Sequence, residues 1–554
     1  MTDPARLAEE ARTLLKAGDL ERAEQAASHA LALEPEHPQL LNLLGLVKLA
    51  QHEFAAAESL FARAIGRVRR AAEFHSNRGI ALKSLGRGTD AVASFRRAAQ
   101  LAPNHPDVLF NLGGALFAEG LHEDASAALR KVVALAPDHV GAKVKLGDTL
   151  LKRGRFEDAR REYEGARALD PGSLDALVAL AFVRYRLGDH AGAEALYLRA
   201  LEAGRAEVTV LTTLGVLANL RGDREAAERR QREAIAEDPR IALPHLCLAT
   251  LLLLTGRFDE GWQEYQHRPA RLACGISADS TERFSSLAPG SAVVLRGEQG
   301  LGDQVFFLRW LPALRQRGLK PRLQLEPRLA PLLARSPDMS PEERDVSARE
   351  VPAAVVAVGD LPAVLSGSDR TPSSIRLTAC PHALDAMRAR LKELGPPPYI
   401  GVAWRAGTPL EAQGAVAASL SKAVPIETLA GALAGATATV VSIQRNPEAG
   451  EADALARRAR LPVHDLSGAN GDLEDMLALM ALLDQYVGVS STNVHLRHAV
   501  GRQSKVLVPN PPEWRWGVEG ESPWFPGTAV YRELAARGWG ESAARLRRDL
   551  GLPA

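Results

Sequence analysis

Three segments in the second half of the 554-residue chain join a strand-like run to residue types that bind anions or move protons. In the first, residues 293–312, a β-branched run leads through Gly300, Gly302 and Asp303 into a helical stretch. The backbone amides of such a turn and the positive end of the helix dipole attract anions. Gly300 and Gly302 are therefore candidate phosphate-binding residues. Asp303 either takes part in catalysis or serves only as the N-cap of the helix.

The second segment, residues 399–409, is an apolar run that ends in Trp404 and Arg405. A strand that ends there places a cation beside a flexible turn. Arg405 either pairs with a phosphate group or forms an ordinary surface ion pair.

The third segment, residues 486–526, contains a strand that ends in a series of polar side chains. The series is Ser491, Thr492 and Asn493, and His495 follows one turn into the next helix. Hydroxyl groups, an amide and free backbone N–H groups at a helix N-terminus form a cradle for a diphosphate. The alternative is that Ser491 or Thr492 is an ordinary N-cap.

Aromatic side chains accompany these polar turns. Trp514 and Trp516 lie in a proline-rich loop, and Trp404 precedes Arg405. Because exposed aromatic rings are costly, such residues either pack a seam between domains or line a pocket for a sugar or a base.

The elements that must position these residues alternate between short β-branched runs and helical stretches, which predicts a parallel α/β fold. A seam near residue 395 divides it into two Rossmann-like halves, with a ligand cleft at the carboxyl ends of the strands. The predicted strands are Ala292–Arg296, Arg322–Glu326, Ala353–Val358, Tyr399–Trp404, Thr439–Ile443, Tyr486–Val489 and Lys505–Val508. The predicted helices include Asp303–Arg317, Ile426–Ala434, Glu451–Arg460, Leu473–Leu483 and Asn493–Val500.

The first half of the chain repeats with a period of 34 residues. The clearest row is Ala23, Ala57, Ala91, Ala125, Ala159, Ala193 and Ala227. This period predicts about eight tetratricopeptide-type helical hairpins that stack into a superhelix. The groove of such an array binds a protein segment, although a spacer or a dimerisation platform is an alternative.

Composition excludes several classes of function. The net charge of +1 gives no global field for nucleic acid or an anionic membrane. The sequence has no apolar run of about 18 residues, and the three cysteines have no metal-ligand spacing. We therefore expect a soluble, cytoplasmic protein without a membrane span, a metal site or a nucleic-acid partner.

The same segments resemble a known family. The runs RGEQGLGDQVFFLRWLP, GVAWRAG and TNVHLRHAVG, followed by LVPNPPEWRW and SPWFPG, resemble bacterial tetratricopeptide proteins with a glycosyltransferase-family-9-like, heptosyltransferase-like GT-B domain. The arrangement is also similar to that of O-linked N-acetylglucosamine transferases and flagellin glycosyltransferases. The resemblance implies an all-α superhelix at residues 1–270, a linker at 271–289 and a GT-B-like domain with halves at 290–395 and 396–554.

The resemblance also implies roles for individual residues. Asp303 would activate the acceptor hydroxyl, and Arg405 would contact the donor phosphate. The turn of Ser491, Thr492, Asn493 and His495 would bind the diphosphate. The implied co-substrate is a nucleotide sugar, without a metal or another cofactor. Related sequences often have an aspartate where this chain has Ser490.

The function that follows from these observations is a metal-independent glycosyltransferase. It would move a sugar to a hydroxyl of a protein acceptor held by the repeat array, with flagellin suggested by the resemblance; a glycan or a lipid-linked acceptor is an alternative. The Ser490 departure favours a second hypothesis, a non-catalytic interaction scaffold with a degenerate glycosyltransferase domain. A third is a chaperone or secretion adaptor that acts through the repeats alone.

Overall fold

The computed structural model describes residues 3–276, 280–344, 352–365, 371–406, 422–534 and 537–552. The chain divides into two compact units, Met1–Ala206 and Glu207–Ala554.

The first unit is entirely helical. Its described residues form six antiparallel hairpins, each made of two consecutive helices. The helices are α1 (Pro4–Ala17), α2 (Leu20–Leu33), α3 (Pro38–Ala50), α4 (Phe54–Arg67), α5 (Ala72–Ser84), α6 (Gly88–Leu101), α7 (Pro106–Ala118), α8 (His122–Leu135), α9 (Val140–Lys152), α10 (Phe156–Leu169), α11 (Leu174–Arg186) and α12 (His190–Glu202). The repeat predicted from the 34-residue period is confirmed.

The period reflects close packing between the two helices of a hairpin. A Cβ atom on Gly147 of α9 would lie 2.5 Å from Cε1 of Tyr163 in α10, far inside van der Waals contact. Gly113 of α7, one 34-residue repeat earlier, packs in the same way: a Cβ atom there would lie 2.6 Å from Cγ of Leu129 in α8. The small residue thus admits the large one, which is buried, and this exchange recurs every 34 residues.

The second unit begins with two more hairpins of the same kind. They consist of α13 (Val208–Arg221), α14 (Arg224–Glu237), α15 (Ala242–Leu254) and α16 (Phe258–Tyr265). Two short helices follow, α17 (Pro269–Ala273) and α18 (Ser280–Ser285). The sequence interpretation treats residues 271–289 as a linker, yet Arg271 and Phe284 are buried there. The compact unit therefore starts at Glu207 rather than at residue 290, because the last two hairpins pack against the α/β part.

The first parallel sheet has three strands in the order β2-β1-β3, with β1 (Ala292–Arg296) in the centre. β2 (Lys320–Gln324) and β3 (Ala354–Ala357) flank it. The helical segments of this half are α19 (Leu301–Phe307), α20 (Leu311–Gln316), α21 (Ala330–Ala334), α22 (Pro341–Arg344), α23 (Leu361–Val364) and α24 (Pro381–Leu394). The single helix predicted at 303–317 is interrupted by a 3-10 turn at Leu308–Trp310, because Pro312 has no N–H to donate to the carbonyl oxygen four residues earlier.

The second sheet has six parallel strands in the order β11-β10-β9-β4-β7-β8. The strands are β4 (Tyr399–Ala403), β7 (Thr439–Ser442), β8 (Val463–Asp465), β9 (Gln485–Val489), β10 (Lys505–Val508) and β11 (Ala529–Arg532). A separate two-stranded ribbon pairs β5 (Arg405–Ala406) with β6 (Lys422–Ala423). The helices are α25 (Ile426–Leu433), α26 (Glu451–Ala459), α27 (Leu473–Leu482), α28 (Thr492–Ala499) and α29 (Gly540–Asp549).

The strand order contains a topological switch point. From β4 the chain builds outward through β7 to β8, and then it returns to the other side of β4 to build β9, β10 and β11. Sheets with such a point bind ligands outside the carboxyl ends of the two strands that flank it, which here are the hydrogen-bonded neighbours β4 and β9. The α/β character predicted for this part of the chain is confirmed.

Candidate functional site

Two of the predicted anion-binding turns meet in the second unit. Gly302 in the first turn of α19 lies against the first turn of α28: a Cβ atom on Gly302 would lie 2.8 Å from Cδ2 of His495 and 3.1 Å from Cα of Thr492. The turns after β1 and β9 come from different sheets, so this contact joins the two halves of the α/β part. The N-cap of α19 is Gly300, and the prediction that Asp303 caps this helix is wrong, because the helix starts two residues earlier than expected.

Asp303 instead belongs to a chain of four charged side chains. Arg515 donates hydrogen bonds to the carboxylates of both Asp303 and Glu513. The other oxygen of Glu513 lies 3.1 Å from Nζ of Lys422. The Arg515 side chain is 5% exposed and that of Asp303 is 30% exposed, so the carboxylate of Asp303 is more open to solvent than the guanidinium that it binds.

Aromatic rings enclose the guanidinium group of Arg515. Its Cζ lies 4.2 Å from the ring centroid of Trp514 and 4.7 Å from that of Phe306. Cation–π contacts of this kind are strongest where water is excluded, as it is here. The rings and the two carboxylates together fix the position of the guanidinium.

The electrostatics of this chain favour charged partners. Burial raises the pKa of Glu513. The positive charges of Lys422 and Arg515 and a hydrogen bond from the Ser490 hydroxyl more than offset this effect, so the pKa of Glu513 lies far below its usual range. Burial lowers the pKa of Arg515, and the carboxylates of Asp303 and Glu513 reverse this effect and leave it raised. Both groups are therefore ionised at neutral pH.

His495 is buried and uncharged. Burial lowers the pKa of its imidazole well below the usual range, and the neighbouring Arg515 adds to the effect. Its ring packs edge-on against Phe306 and Phe525, and Nδ1 has no hydrogen-bond partner among the residues that the structure describes. Any contact of His495 with a phosphate would use a neutral N–H group rather than a positive charge.

The remaining turn residues lie at the N-terminus of α28. Ser491 is the N-cap residue and makes no side-chain capping bond. Its hydroxyl lies 3.4 Å from that of Tyr486, and Ser491 and Thr492 are half-buried, whereas Asn493 is buried. The first turn of α28 leaves backbone N–H groups without partners inside the helix, as at any helix N-terminus, and Gly302 packs against it.

Arg405 forms an ion pair instead of standing free. It donates to the carboxylate of Glu451 and, through Nη2, to the carbonyl oxygen of Asn446 at 2.8 Å. Of the two alternatives for this residue, the structure displays the ion pair. Trp404 joins the same partner, since its Nε1 donates to Oε1 of Glu451 at 3.0 Å.

The tryptophans do not form one pocket. Trp404 packs into the hydrophobic cluster beside β4 and α25, whereas Trp514 and Trp516 belong to a second cluster. Trp514 meets Trp262 of α16 at 5.3 Å between ring centroids, and Trp516 stacks on Phe525 at 5.1 Å. Packing of a seam, the first of the two alternatives, describes Trp514 and Trp516.

Sequence reasoning missed Lys422 and Glu513 and gave Arg515 no role. A signal was present for two of them: Glu513 and Arg515 alternate with tryptophans in one loop, and charges among buried rings need buried partners. Lys422 has no such signal, because its approach to Glu513 depends on the β5–β6 ribbon.

Within the described ranges, there is no group of three or more His, Cys, Asp or Glu side chains that could hold a metal ion. None of the helices there combines the length and apolar character needed to cross a bilayer.

Comparison with known proteins identifies the repeats. Residues 9–72, 43–106, 76–140 and 144–207 match a tetratricopeptide-repeat family model, and residues 116–170 match a second one. The N-terminal part, about 250 residues, thus consists of tetratricopeptide repeats, a fold whose surfaces bind proteins.

The chain is also similar to Protein FlbA of Caulobacter vibrioides, with 27% identity over 317 residues. The match covers 52% of this chain and 52% of FlbA, so it spans about half the length of that relative.

Solved structures that are similar include a tetratricopeptide protein from Parabacteroides merdae, with 18% identity, 44% of this chain and 97% of that chain covered, and a TM-score of 0.36. Another is a thermophilic tetratricopeptide protein from Thermus thermophilus, which is 20% identical. The match covers 33% of this chain and 98% of that chain, with a TM-score of 0.28.

Proposed function

We propose that this protein is a metal-independent glycosyltransferase of the GT-B type, which moves a sugar from a nucleotide-sugar donor to a hydroxyl of a protein bound by the repeats. The observation that carries the proposal is the switch point in the strand order of the second sheet, between β4 and β9. Nucleotide ligands of doubly wound sheets bind in a crevice outside the carboxyl ends of the strands at such a point. The donor crevice would therefore lie at the ends of β4 and β9, beside the turn from β9 into α28.

The residues around the crevice suit a transfer of this kind. The acceptor oxygen would attack C1 of the sugar while the bond from C1 to the phosphate oxygen breaks and its electron pair stays on the departing nucleotide. The hydroxyl proton would pass to the carboxylate of Asp303, whose side chain is 30% exposed. The amides of Thr492 and Asn493, together with the Lys422 ammonium, would stabilise the negative charge on the leaving phosphate.

The repeats supply the protein acceptor. Tetratricopeptide arrays bind segments of other proteins, and no residue type in the first unit needs a small-molecule role to explain its position. Flagellin is the acceptor that the sequence resemblance favours, and a filament protein offers many surface Ser and Thr hydroxyls.

One observation favours a second function, a non-catalytic interaction scaffold. The groups that would bind donor and acceptor already have protein partners: Asp303 pairs with Arg515, Arg405 pairs with Glu451, and Gly302 covers the first turn of α28. A domain with such internal contacts could serve as a docking module without turnover.

Nucleotide binding distinguishes the two functions. The full chain is titrated with UDP, GDP, ADP, CMP and dTDP while its thermal unfolding is recorded. A nucleotide at about 100 times its Kd stabilises the native state by about 2.7 kcal/mol. We expect one of the five to raise the Tm, and no response to any of them would support the scaffold.

Transfer itself is tested with Asp303→Asn. Loss of the carboxylate should lower donor turnover at least a hundredfold while the nucleotide still binds, because the donor site lies mainly in the second half. The control is Asp385→Asn on α24, an exposed aspartate that also pairs with one arginine, Arg388. Equal turnover in both variants would remove Asp303 from the mechanism.

A further inference from the structure

Arg515 joins the two halves of the α/β part through charge, as Arg335 also does through its pair with Glu474. It comes from the loop after β10 in the second half, and it reaches the carboxylate of Asp303, which belongs to α19 of the first half. Its other bonding nitrogen is held by Glu513. The guanidinium therefore links a fixed buried carboxylate to a partly exposed one.

The environment of Arg515 leaves it little freedom to move. Trp514 and Phe306 lie against it, at 4.2 and 4.7 Å from Cζ to the ring centroids, and its side chain is 5% exposed. Glu513, which orients it, is held in turn by Lys422 and by the Ser490 hydroxyl. A flexible surface arginine would lose rotamer freedom on pairing, but this one is already ordered by its surroundings.

The inference rests on the proposed function. We propose that Arg515 is a positioning residue of the transfer reaction: held by Glu513 and two aromatic rings, it keeps the Asp303 carboxylate aimed at the acceptor hydroxyl. Arg515 itself touches neither donor nor acceptor.

The experiment measures the slow hydrolysis of donor by the full chain, with water in place of the acceptor hydroxyl. The probes are UDP-N-acetylglucosamine, GDP-mannose, ADP-glucose, CMP-sialic acid and dTDP-rhamnose, and the product is the released nucleotide. Turnover of the donor that reacts is recorded from pH 5 to 9 for the wild type and for Arg515→Gln, Arg515→Lys and Arg532→Gln.

We expect Arg515→Gln to lower kcat at neutral pH at least tenfold, because the Asp303 carboxylate loses the group that orients it. KM for the donor should change less than kcat. Arg515→Lys keeps the charge but cannot bridge two carboxylates, so kcat should fall at least threefold.

Arg532→Gln is the matched control. Arg532 is also partly buried near the same loop, but the hydrogen bonds that the structure shows for it go to backbone carbonyl oxygens, including that of Gly517 at 3.1 Å. A purely structural loss in this region should therefore reduce stability without the selective loss of kcat.

The outcomes separate the inference from the function on which it rests. A wild-type chain that hydrolyses none of the donors overturns both. An active wild type with an unchanged kcat in Arg515→Gln overturns the positioning role alone. If Arg515→Gln does not fold, Arg515→Lys decides: wild-type kcat in that variant overturns the proposal, and the threefold loss of kcat with a smaller change in KM supports it.

Discussion

His498 lies near the end of α28 with its ring largely enclosed by protein. Its Nε2 lies 2.6 Å from the hydroxyl of Thr528, and Phe525 packs against the ring. Burial, reinforced by the nearby charges of Arg309 and Arg497, lowers the pKa of this imidazole from 6.5 to about 4. A histidine that is neutral when folded but protonates readily when unfolded makes stability depend on pH.

The direction of the pKa shift fixes how stability changes with pH. Above pH 6.5 the imidazole is neutral in both the folded and the unfolded state, and the contribution of His498 to the free energy of unfolding is fully present. As the pH falls toward 4, the unfolded state gains a proton first and this contribution is lost. We expect the free energy of unfolding of the wild type to fall across this pH window by about 3 kcal/mol more than that of His498→Gln, on the basis of about 1.36 kcal/mol per pKa unit. Urea unfolding at several pH values, followed by tryptophan fluorescence, measures it.

The exposed His382 of α24 provides the control for this experiment. His382→Gln should unfold with the same pH dependence as the wild type. A His498→Gln variant that also follows the wild-type pH dependence would contradict the assignment.

Individual residue types and their spacing predict part of the candidate site. The motif spacing places Gly302, Asp303, Thr492 and His495 at strand-to-helix turns, and the structure brings these four close together. Spacing does not reveal ion pairs between distant segments, so the bond between Asp303 and Arg515, 212 residues apart, lay beyond it.

At the scale of elements, side chains of the segment from α16 to α18 hold the turn after β1 in place through buried ion pairs and hydrogen bonds. Arg268 donates to Glu298 and, at 2.8 Å, pairs with Asp360, and all three side chains are at most 2% exposed. Gln299, the next residue in the turn, donates to the hydroxyl of Tyr265 at 2.8 Å. The helical hairpin thus fixes the backbone that leads to Gly300 and Asp303.

Arg268→Ala should destabilise the second unit by about 3–5 kcal/mol, because it leaves two buried carboxylates with one charge partner fewer. Burial already raises the pKa of Glu298, and Arg268 offsets only part of this effect. Because all seven tryptophans lie at or after residue 262, fluorescence in urea reports this unit selectively. Arg537→Ala, which removes an exposed pair with Glu541, is the control and should leave the midpoint unchanged.

The elements that the sequence predicts well are those with a long periodic or β-branched signal. The strands β1, β9 and β10 begin and end within one residue of their predicted limits. By contrast, β8 and β11 were not predicted, since three or four residues with polar members carry too little periodicity. The helix α24 was missed as well, although Pro381 at its first turn is a typical start signal.

At the scale of the whole molecule, the boundary between compact units does not coincide with the boundary between repeat and α/β sequence. The last two hairpins bury Trp262 and Tyr265 against rings of the α/β part, including Trp514 and Phe307. A repeat period in the sequence identifies hairpins but does not say which neighbour each one packs against.

Two fragments test this boundary. We expect residues 207–554 to unfold cooperatively with the tryptophan signal of the full chain, whereas residues 271–554 should be insoluble or lack a cooperative transition. The shorter fragment loses Arg268 from its buried ion cluster and exposes the aromatic surface that Trp262 covers. Equal cooperativity in the two fragments would contradict the integration of the last two hairpins.

The loop between α12 and α13, which contains Gly204 and ends at Glu207, therefore has a consequence for how such a protein can diversify. The hairpins before this loop belong to one compact unit, so recombination at the loop can duplicate, delete or exchange them as a unit, while the two hairpins after it are inherited together with the α/β part. Grafting a foreign repeat array at this loop would leave the second unit whole.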